Sequence, residues 1–290
     1  MIAFDYHAPE SLQEAVRLLD QFAGTARVVA GGTDLMVTCR LRGLGPQHVI
    51  SLRRVENLDV VRRDEATGRV RIGAFATLRQ IERSPLLRER CAGLVEAAHK
   101  VGSIPVRNLA TIGGNLCNAS PSAETAPPLL AAAATVTLTG PGGQRAIPLE
   151  QFFLGPGKTA LQPNEVLTEV SLLADGAGAA SMYERQCIRR FKDIALVGVG
   201  ARLALDGAGR CQAVGLALGA VAPTPLPVPA AADLLLGQQL SDARIAEVAA
   251  AARAAAKPIT DIRASAEYRS AMVEVLTIRV LRALREALRN

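Results

Sequence analysis

Two short stretches place paired glycines beside a threonine: Val28-Val29-Ala30-Gly31-Gly32-Thr33-Asp34-Leu35 and Ala110-Thr111-Ile112-Gly113-Gly114-Asn115. Glycine admits positive φ and lets a ligand approach the main chain closely. Successive N–H groups in such a turn point inward and form a concave anion site. Two such loops facing each other could neutralise a pyrophosphate. Thr33 and Thr111 add hydroxyls, and Asn115 adds an amide that both donates and accepts. A carboxylate near a phosphate would repel it, so Asp34 and Glu124 fit better as acceptors for ribose, ring N–H or backbone groups. The plainer reading is also open. A Gly-Gly pair after a strand is often only a turn, and in a chain with 25 glycines one pair is weak evidence.

The elements that must position these loops follow from hydrophobic period. Residues 11–22 predict a helix with capping-box spacing from Ser11 to Glu14 and an apolar stripe of Leu12, Ala15, Val16 and Leu19. Residues 27–30 and 49–52 read as short buried strands, the first running directly into Gly31-Gly32. Val70 and Ile72 alternate with Arg69 and Arg71 in a strand over 68–75. Two helices follow, the second starting at Pro85 and ending near Gly102, before the "ATIGGN" loop. "SAETAPPLLAAAA" predicts a helix interrupted at Pro127-Pro128, and "TVTLTG" and "EVLTEVSL" predict strands.

Residues 174–180, "ADGAGAA", break the composition and mark a domain boundary. Beyond it, residues 195–205 and 211–221 are strands joined by the hairpin signal "DGAGR". An extended Pro-rich segment and two helices close the chain, the last with a stripe of Met272, Val275, Leu276, Val280, Ala283, Leu284 and Ala287.

Other chemistries fit poorly. No GxGxxG follows a strand, which removes the dinucleotide fingerprint of a doubly wound sheet. "GPGKTA" resembles the end of a phosphate loop, but Phe152 stands where the leading glycine belongs. Neither serine of "ASPSAE" sits in a glycine elbow, which argues against a serine hydrolase. The five cysteines, at 39, 91, 117, 187 and 211, and the three histidines match no zinc or iron–sulfur spacing. An odd, dispersed set suits reduced thiols in a cytoplasm. The N-terminus shows no basic-then-apolar leader, and no apolar run reaches membrane-spanning length. The net charge of +6 comes almost wholly from scattered arginine without interleaved aromatics, so the chain lacks a nucleic-acid stacking platform. An acidic protein partner fits that surface.

Taken in order, the motifs "FDYHAPESLQEAVRLL", "VVAGGTDLM", "IGAFATLRQIE", "VRNLATIGGNLCNASPSAETAPPLLAAAA", "FFLGPGKTALQPNEVLTEV", "RRFKDIALVGVGARL" and "DIRASAEYRSAMVEVLTIR" span almost the whole chain. They resemble the FAD-binding medium subunit of the molybdenum hydroxylases, the family of the carbon monoxide dehydrogenase medium subunit and the xanthine dehydrogenase FAD-binding subunit. The resemblance implies an α+β fold: a two-subdomain FAD-binding domain of the PCMH type over 1–176, with subdomains about 1–55 and 56–176. A smaller α+β C-terminal domain, an antiparallel sheet plus helices, would follow over 177–290.

By the same resemblance, Val29, Ala30, Gly31, Gly32, Thr33, Asp34 and Leu35 form one FAD loop, and Thr111, Gly114, Asn115 and Cys117 form the other. Val101 and Gly102 lie beside them, Ser120 and Glu124 follow the second loop toward the cofactor, Leu161 packs near the isoalloxazine ring, and Arg185 approaches the flavin. Members of the family often carry Asp where this chain has Glu124. No histidine stands in the first loop to tether the flavin, so FAD binding is expected to be non-covalent.

The family's chemistry divides among subunits. A large subunit would carry the molybdenum cofactor and a small one two [2Fe–2S] clusters, in a dimer of heterotrimers. This chain would pass electrons from the clusters through FAD to NAD+, oxygen or another carrier. It would hold no metal and no general acid or base. The lack of clustered cysteine agrees with that division and argues against the branch with an additional cluster in its flavin subunit. Two other readings stay open on the residues: a self-contained FAD-dependent oxidoreductase, and a non-redox nucleotide-binding module.

Overall fold

The computed structural model describes residues 3–43, 45–189 and 192–289; residues 190–191 of the "RRFKDI" motif lie outside them. Three units follow one another along the chain, each with its own sheet.

The first unit holds strands β1 (Asp5–His7), β2 (Ala26–Val29) and β3 (His48–Ser51), parallel in the order β1-β3-β2. Parallel neighbours need crossovers, and helices α1 (Leu12–Gln21) and α2 (Leu35–Arg42) supply them. Ser11 caps α1 by accepting the Glu14 N–H at 3.1 Å, while Glu14 reaches back to the N–H of Glu10 at 3.2 Å. Ala15, Val16, Leu18 and Leu19 of α1 pack on Ile50 and Leu52.

In the second unit, β4 (Val61–Arg63), β5 (Val70–Gly73), β6 (Thr135–Gly140), β7 (Gly143–Pro148) and β10 (Val166–Leu172) form an antiparallel sheet in the order β4-β5-β10-β6-β7. Between β7 and β10 the chain makes a small hairpin, β8 (Phe153–Gly155) and β9 (Lys158–Thr159). Six helices fill the span between β5 and β6: α3 (Leu78–Arg83), α4 (Pro85–Arg90), α5 (Ala92–Lys100), α6 (Ile104–Arg107), α7 (Ile112–Cys117) and α8 (Ala126–Ala131).

The third unit is a meander of β11 (Ala179–Gln186), β12 (Val197–Leu205), β13 (Cys211–Gly219) and β14 (Leu226–Pro227), antiparallel and in chain order. Helices α9 (Ala230–Leu235), α10 (Asp242–Ala255) and α11 (Ala266–Arg289) complete its core.

Several sequence expectations give way to packing. The helix expected from Pro85 to Gly102 breaks at Cys91, where φ is −157°. The break lets α5 lie directly on β11, with Gly93 against the Met182 backbone and its N–H donated to Ser181 at 3.2 Å. Pro127-Pro128 do not interrupt a helix; they open α8, where the first turn has no N–H to lose. "ATIGGN" is not a loop throughout, because α7 begins at Ile112. The inward stripe of α11 is Arg269, Val273, Leu276, Thr277, Val280, Leu281 and Leu284, whereas Val275 stays 38% exposed. Strands β7 and β11 carried too few apolar residues to be read in advance.

The third unit is bolted to the second through the linker. Asp175 accepts from Ser181 at 2.6 Å and from Arg202 Nε at 3.0 Å, and its own N–H donates to the Arg90 carbonyl at 2.6 Å. α8 lies so close to β12 that a Cβ on Gly200 would sit 2.5 Å from the Pro127 backbone.

Candidate functional site

The first glycine pair sits where β2 ends at Val29 and α2 begins at Leu35. Gly32 takes a φ of 71°, which turns the chain sharply. Among the described residues, the N–H groups of Gly31, Gly32, Thr33 and Asp34 find no acceptor in the chain. Four successive free donors ahead of a helix make an anion cradle. Gly31 has a second task. A Cβ there would overlap the Leu109 carbonyl, so the backbone of the first loop rests on the segment entering the second.

The second pair is built differently. Thr111 caps α7, and its hydroxyl accepts the Gly114 N–H at 3.0 Å. The Ile112 and Gly113 N–H groups go to the Ala76 and Ala74 carbonyls at 3.0 and 2.8 Å, and that of Asn115 goes to Thr111 at 3.0 Å. Its amides are therefore engaged, and the expectation of two facing nests reduces to one. The second loop offers side chains instead. Thr125 donates to Asn115 Oδ1 at 2.6 Å, which leaves the Asn115 amide nitrogen free to donate.

The two glycines of this loop also differ. A Cβ on Gly113 would lie 2.7 Å from the Ala74 carbonyl oxygen, so it is a packing residue. One on Gly114 would meet only Thr111 Oγ1 at 3.1 Å and the Ala30 methyl at 3.9 Å, so it faces the first loop. Asn118 adds a link by donating to Asp34 Oδ1 at 3.5 Å. Burial raises the Asp34 carboxyl above its usual range, opposed by a hydrogen bond from Thr33.

Glu124 and Arg185, far apart in sequence, form a buried ion pair, with side chains 7% and 5% exposed. One Glu124 oxygen takes Arg185 Nη1 and the other takes the Tyr183 hydroxyl. Burial pushes the Glu124 carboxyl up, against the pull of Arg185 and Tyr183. It also drives the Tyr183 phenol well above its ordinary value, with the Glu124 charge adding to the rise. Tyr183 was missed because β11 was not read as a strand. The signal was its spacing, since residues two apart on a strand share a face.

The remaining residues are less closely joined. Val101 and Gly102 form the turn between α5 and α6, where the Val101 carbonyl accepts from Arg107 at 3.1 Å. Cys117 is half-buried on α7, and burial pushes its thiol up to about 12. Ser120 pairs with Ser122 at 3.0 Å, and Leu161 packs against the core of the second unit. Among the described residues, no cluster of three or more His, Cys, Asp or Glu could hold a metal ion, and no helix is long and apolar enough to cross a membrane.

Two subdomains bring a donor-lined glycine turn against the segment entering a second glycine loop, and a sheet-and-helix domain docks on the second of them. Residues 2–172 match the family described as the FAD binding domain in molybdopterin dehydrogenase, and residues 183–284 match the CO dehydrogenase flavoprotein C-terminal domain. The chain belongs to this family: it is an FAD-binding subunit of the molybdenum hydroxylases, a class of oxidoreductase.

It is 34% identical to the carbon monoxide dehydrogenase medium chain of Hydrogenophaga pseudoflava over 280 residues, covering 97% of this chain and 96% of that one. To the xanthine dehydrogenase FAD-binding subunit of Escherichia coli O157:H7 it is 28% identical over 277 residues, covering 95% and 94%. The structure of the Hydrogenophaga pseudoflava carbon monoxide dehydrogenase lacking the Mo-pyranopterin moiety of its cofactor superposes with a TM-score of 0.92 at 35% identity, covering 98% of both chains.

Proposed function

We propose that this chain is the electron-transfer subunit of a heteromeric molybdenum hydroxylase. It takes electrons from [2Fe–2S] clusters of a small partner subunit and delivers them to an external acceptor such as NAD+, oxygen or another carrier. A large partner subunit carries the molybdenum cofactor, and the assembly is a dimer of such heterotrimers in the cytoplasm. The FAD-binding domain covers 1–176 and the C-terminal domain 177–290. The observation that carries the reading is the set of four N–H groups from Gly31 to Asp34 without an acceptor among the described residues, with Gly31 pressed against the segment entering the second loop.

FAD, when bound, supplies the redox chemistry, and the protein supplies placement and electrostatics. Gly31 to Asp34 donate to the pyrophosphate. Thr111 and the free amide of Asn115 add donors from the opposite side. Gly114 leaves the space between the loops open. Asp34, whose carboxyl Asn118 holds at the edge of the loop, accepts from a sugar hydroxyl rather than facing a phosphate. Val29, Ala30, Leu35, Val101, Gly102, Cys117, Ser120 and Leu161 line the rest of the cleft. Glu124 of the FAD-binding domain and Arg185 of the C-terminal domain close it together as an ion pair. The binding is non-covalent.

The test is the visible spectrum of the purified chain, with the released cofactor identified by chromatography. The expected result is stoichiometric FAD with no iron–sulfur absorption. A colourless chain that also refuses added FAD would overturn the reading.

A further inference from the structure

Tyr183 belongs to the C-terminal domain, yet every polar group it owns is bound by the FAD-binding domain. Its N–H donates to Glu96 Oε2 at 2.7 Å, and its carbonyl accepts from Lys100 Nζ at 2.7 Å. Its hydroxyl donates to Glu124. The Lys100 ammonium also stands 5.1 Å from the ring centroid, within cation–π range. β11 is an edge strand, and an edge exposes unpaired main-chain groups. Here Glu96 and Lys100, one turn apart on α5, satisfy that edge with side chains. Across the sheet, β12 makes room for the hydroxyl, because a Cβ on Gly198 would lie 2.6 Å from it.

The contacts at the two ends of Tyr183 reach two segments of the proposed FAD site. Lys100 directly precedes the Val101-Gly102 turn, and Glu124 follows the second glycine loop. The hydroxyl holds one oxygen of Glu124, which leaves the other for Arg185 Nη1, itself also bonded to the Asp193 carbonyl at 3.2 Å. Tyr183 is 2% exposed, so no water can replace that bond without repacking.

We infer that Tyr183 is a positioning residue for the cofactor site: by fixing the Glu124 carboxylate it sets where Arg185 stands against the FAD, and it makes docking of the C-terminal domain and the shape of the cleft one equilibrium. This rests on the reading that the cleft holds FAD. Tyr183 itself does not touch the cofactor; it acts through Glu124. Among the described residues, the charged and titratable groups that act on Glu124 are Tyr183 and Arg185 from β11 and Lys100 from α5, with Cys187 beyond Arg185. Burial pushes the Glu124 carboxyl up, and with Arg185 the phenol opposes that rise. Without it, the buried carboxylate keeps only Arg185 and takes up a proton more readily.

The experiment compares the full-length chain with Tyr183→Phe, which removes the hydroxyl and keeps the ring and both main-chain bonds. FAD affinity is measured by flavin fluorescence across pH. The parent's FAD affinity at each pH between about 6 and 8 is the reference. Tyr183→Phe is expected to fold with the parent's circular dichroism, to bind about tenfold more weakly at pH 7, and to weaken further as the pH falls.

Ser181→Ala is the control. It removes another buried bond between the same two domains, to Gly93 and Asp175, without touching Glu124. It should lower the melting temperature and leave the FAD affinity and its pH profile as in the parent. Parental affinity and the parent's own pH profile in Tyr183→Phe would overturn the inference while the FAD reading stands. So would a Ser181→Ala loss of affinity equal to that of Tyr183→Phe. A parent that binds no FAD would overturn both.

Discussion

The Leu109 carbonyl occupies the space in which a side chain on Gly31 would begin, so the first glycine loop meets the segment entering the second through its main chain. The contact sets the separation of the loops before any ligand arrives. Gly31→Ala must push them apart. The expected cost is about 2–3 kcal/mol of stability, the upper range for overpacking against backbone that cannot yield. Flavin content should fall with it. Thermal denaturation and the absorbance ratio of flavin to protein check both effects.

The glycines at 113 and 114 should separate fold from binding. Gly113→Val drives its side chain into the Ala74 backbone beneath α7 and should abolish folded protein. Gly114→Val directs its methyls toward Ala30 and the gap between the loops. It should leave a folded chain with little or no FAD. Circular dichroism and cofactor content distinguish the two, and full flavin occupancy in Gly114→Val would refute the assignment of the gap to the pyrophosphate.

Glu124→Ala removes one partner from an ion pair whose side chains are both almost fully buried. It strands the Arg185 charge and the Tyr183 hydroxyl. A loss of about 3–5 kcal/mol is expected, against far less if the pair were on the surface. The melting temperature should drop by about 10 °C for a chain of this size. FAD binding should weaken less than in Gly114→Val, because the free amides of the first loop remain. Calorimetry and flavin titration on the same samples give both numbers.

Glu82 predicts the acid limb of stability. Burial works against its charge, but hydrogen bonds from Arg79, His99 and Arg107 prevail and hold its carboxyl at about 2. The partners lie at 2.8, 2.8 and 2.9 Å. A carboxyl held below its unfolded value contributes stability that is whole above about pH 4.5 and is lost as the pH falls toward about 2. About 2 kcal/mol should disappear across that window, less than the full shift implies because water reaches part of the cluster. Glu82→Gln should be less stable than the parent at pH 7 and should lose less on acidification. Urea titrations at stepped pH check the slope. Arg107 ties Glu82 to the Val101 carbonyl, so the same variant should also loosen the turn between α5 and α6.

What the amino-acid order determined alone was local. Ser11 and Glu14 mark the start of α1, the β2 run leads into a glycine turn, and "DGAGR" closes the β12–β13 hairpin. These follow from backbone sterics and from hydrogen bonds within a few residues, so they can be read one segment at a time. The motifs of the two glycine loops were legible as a pair for the same reason.

Their chemistry was not. That the first loop keeps its N–H groups free while the second spends them on Ala74, Ala76 and Thr111 depends on a neighbour more than thirty residues away in sequence. The break at Cys91, the helix opened by Pro127-Pro128 and the union of Glu124 with Tyr183 and Arg185 are likewise settled by which surfaces meet. Burial converts an ordinary glutamate and an ordinary arginine into an obligate pair, since neither charge tolerates the interior alone. Only the docking of β11 against α5 and the segment after α7 supplies that burial.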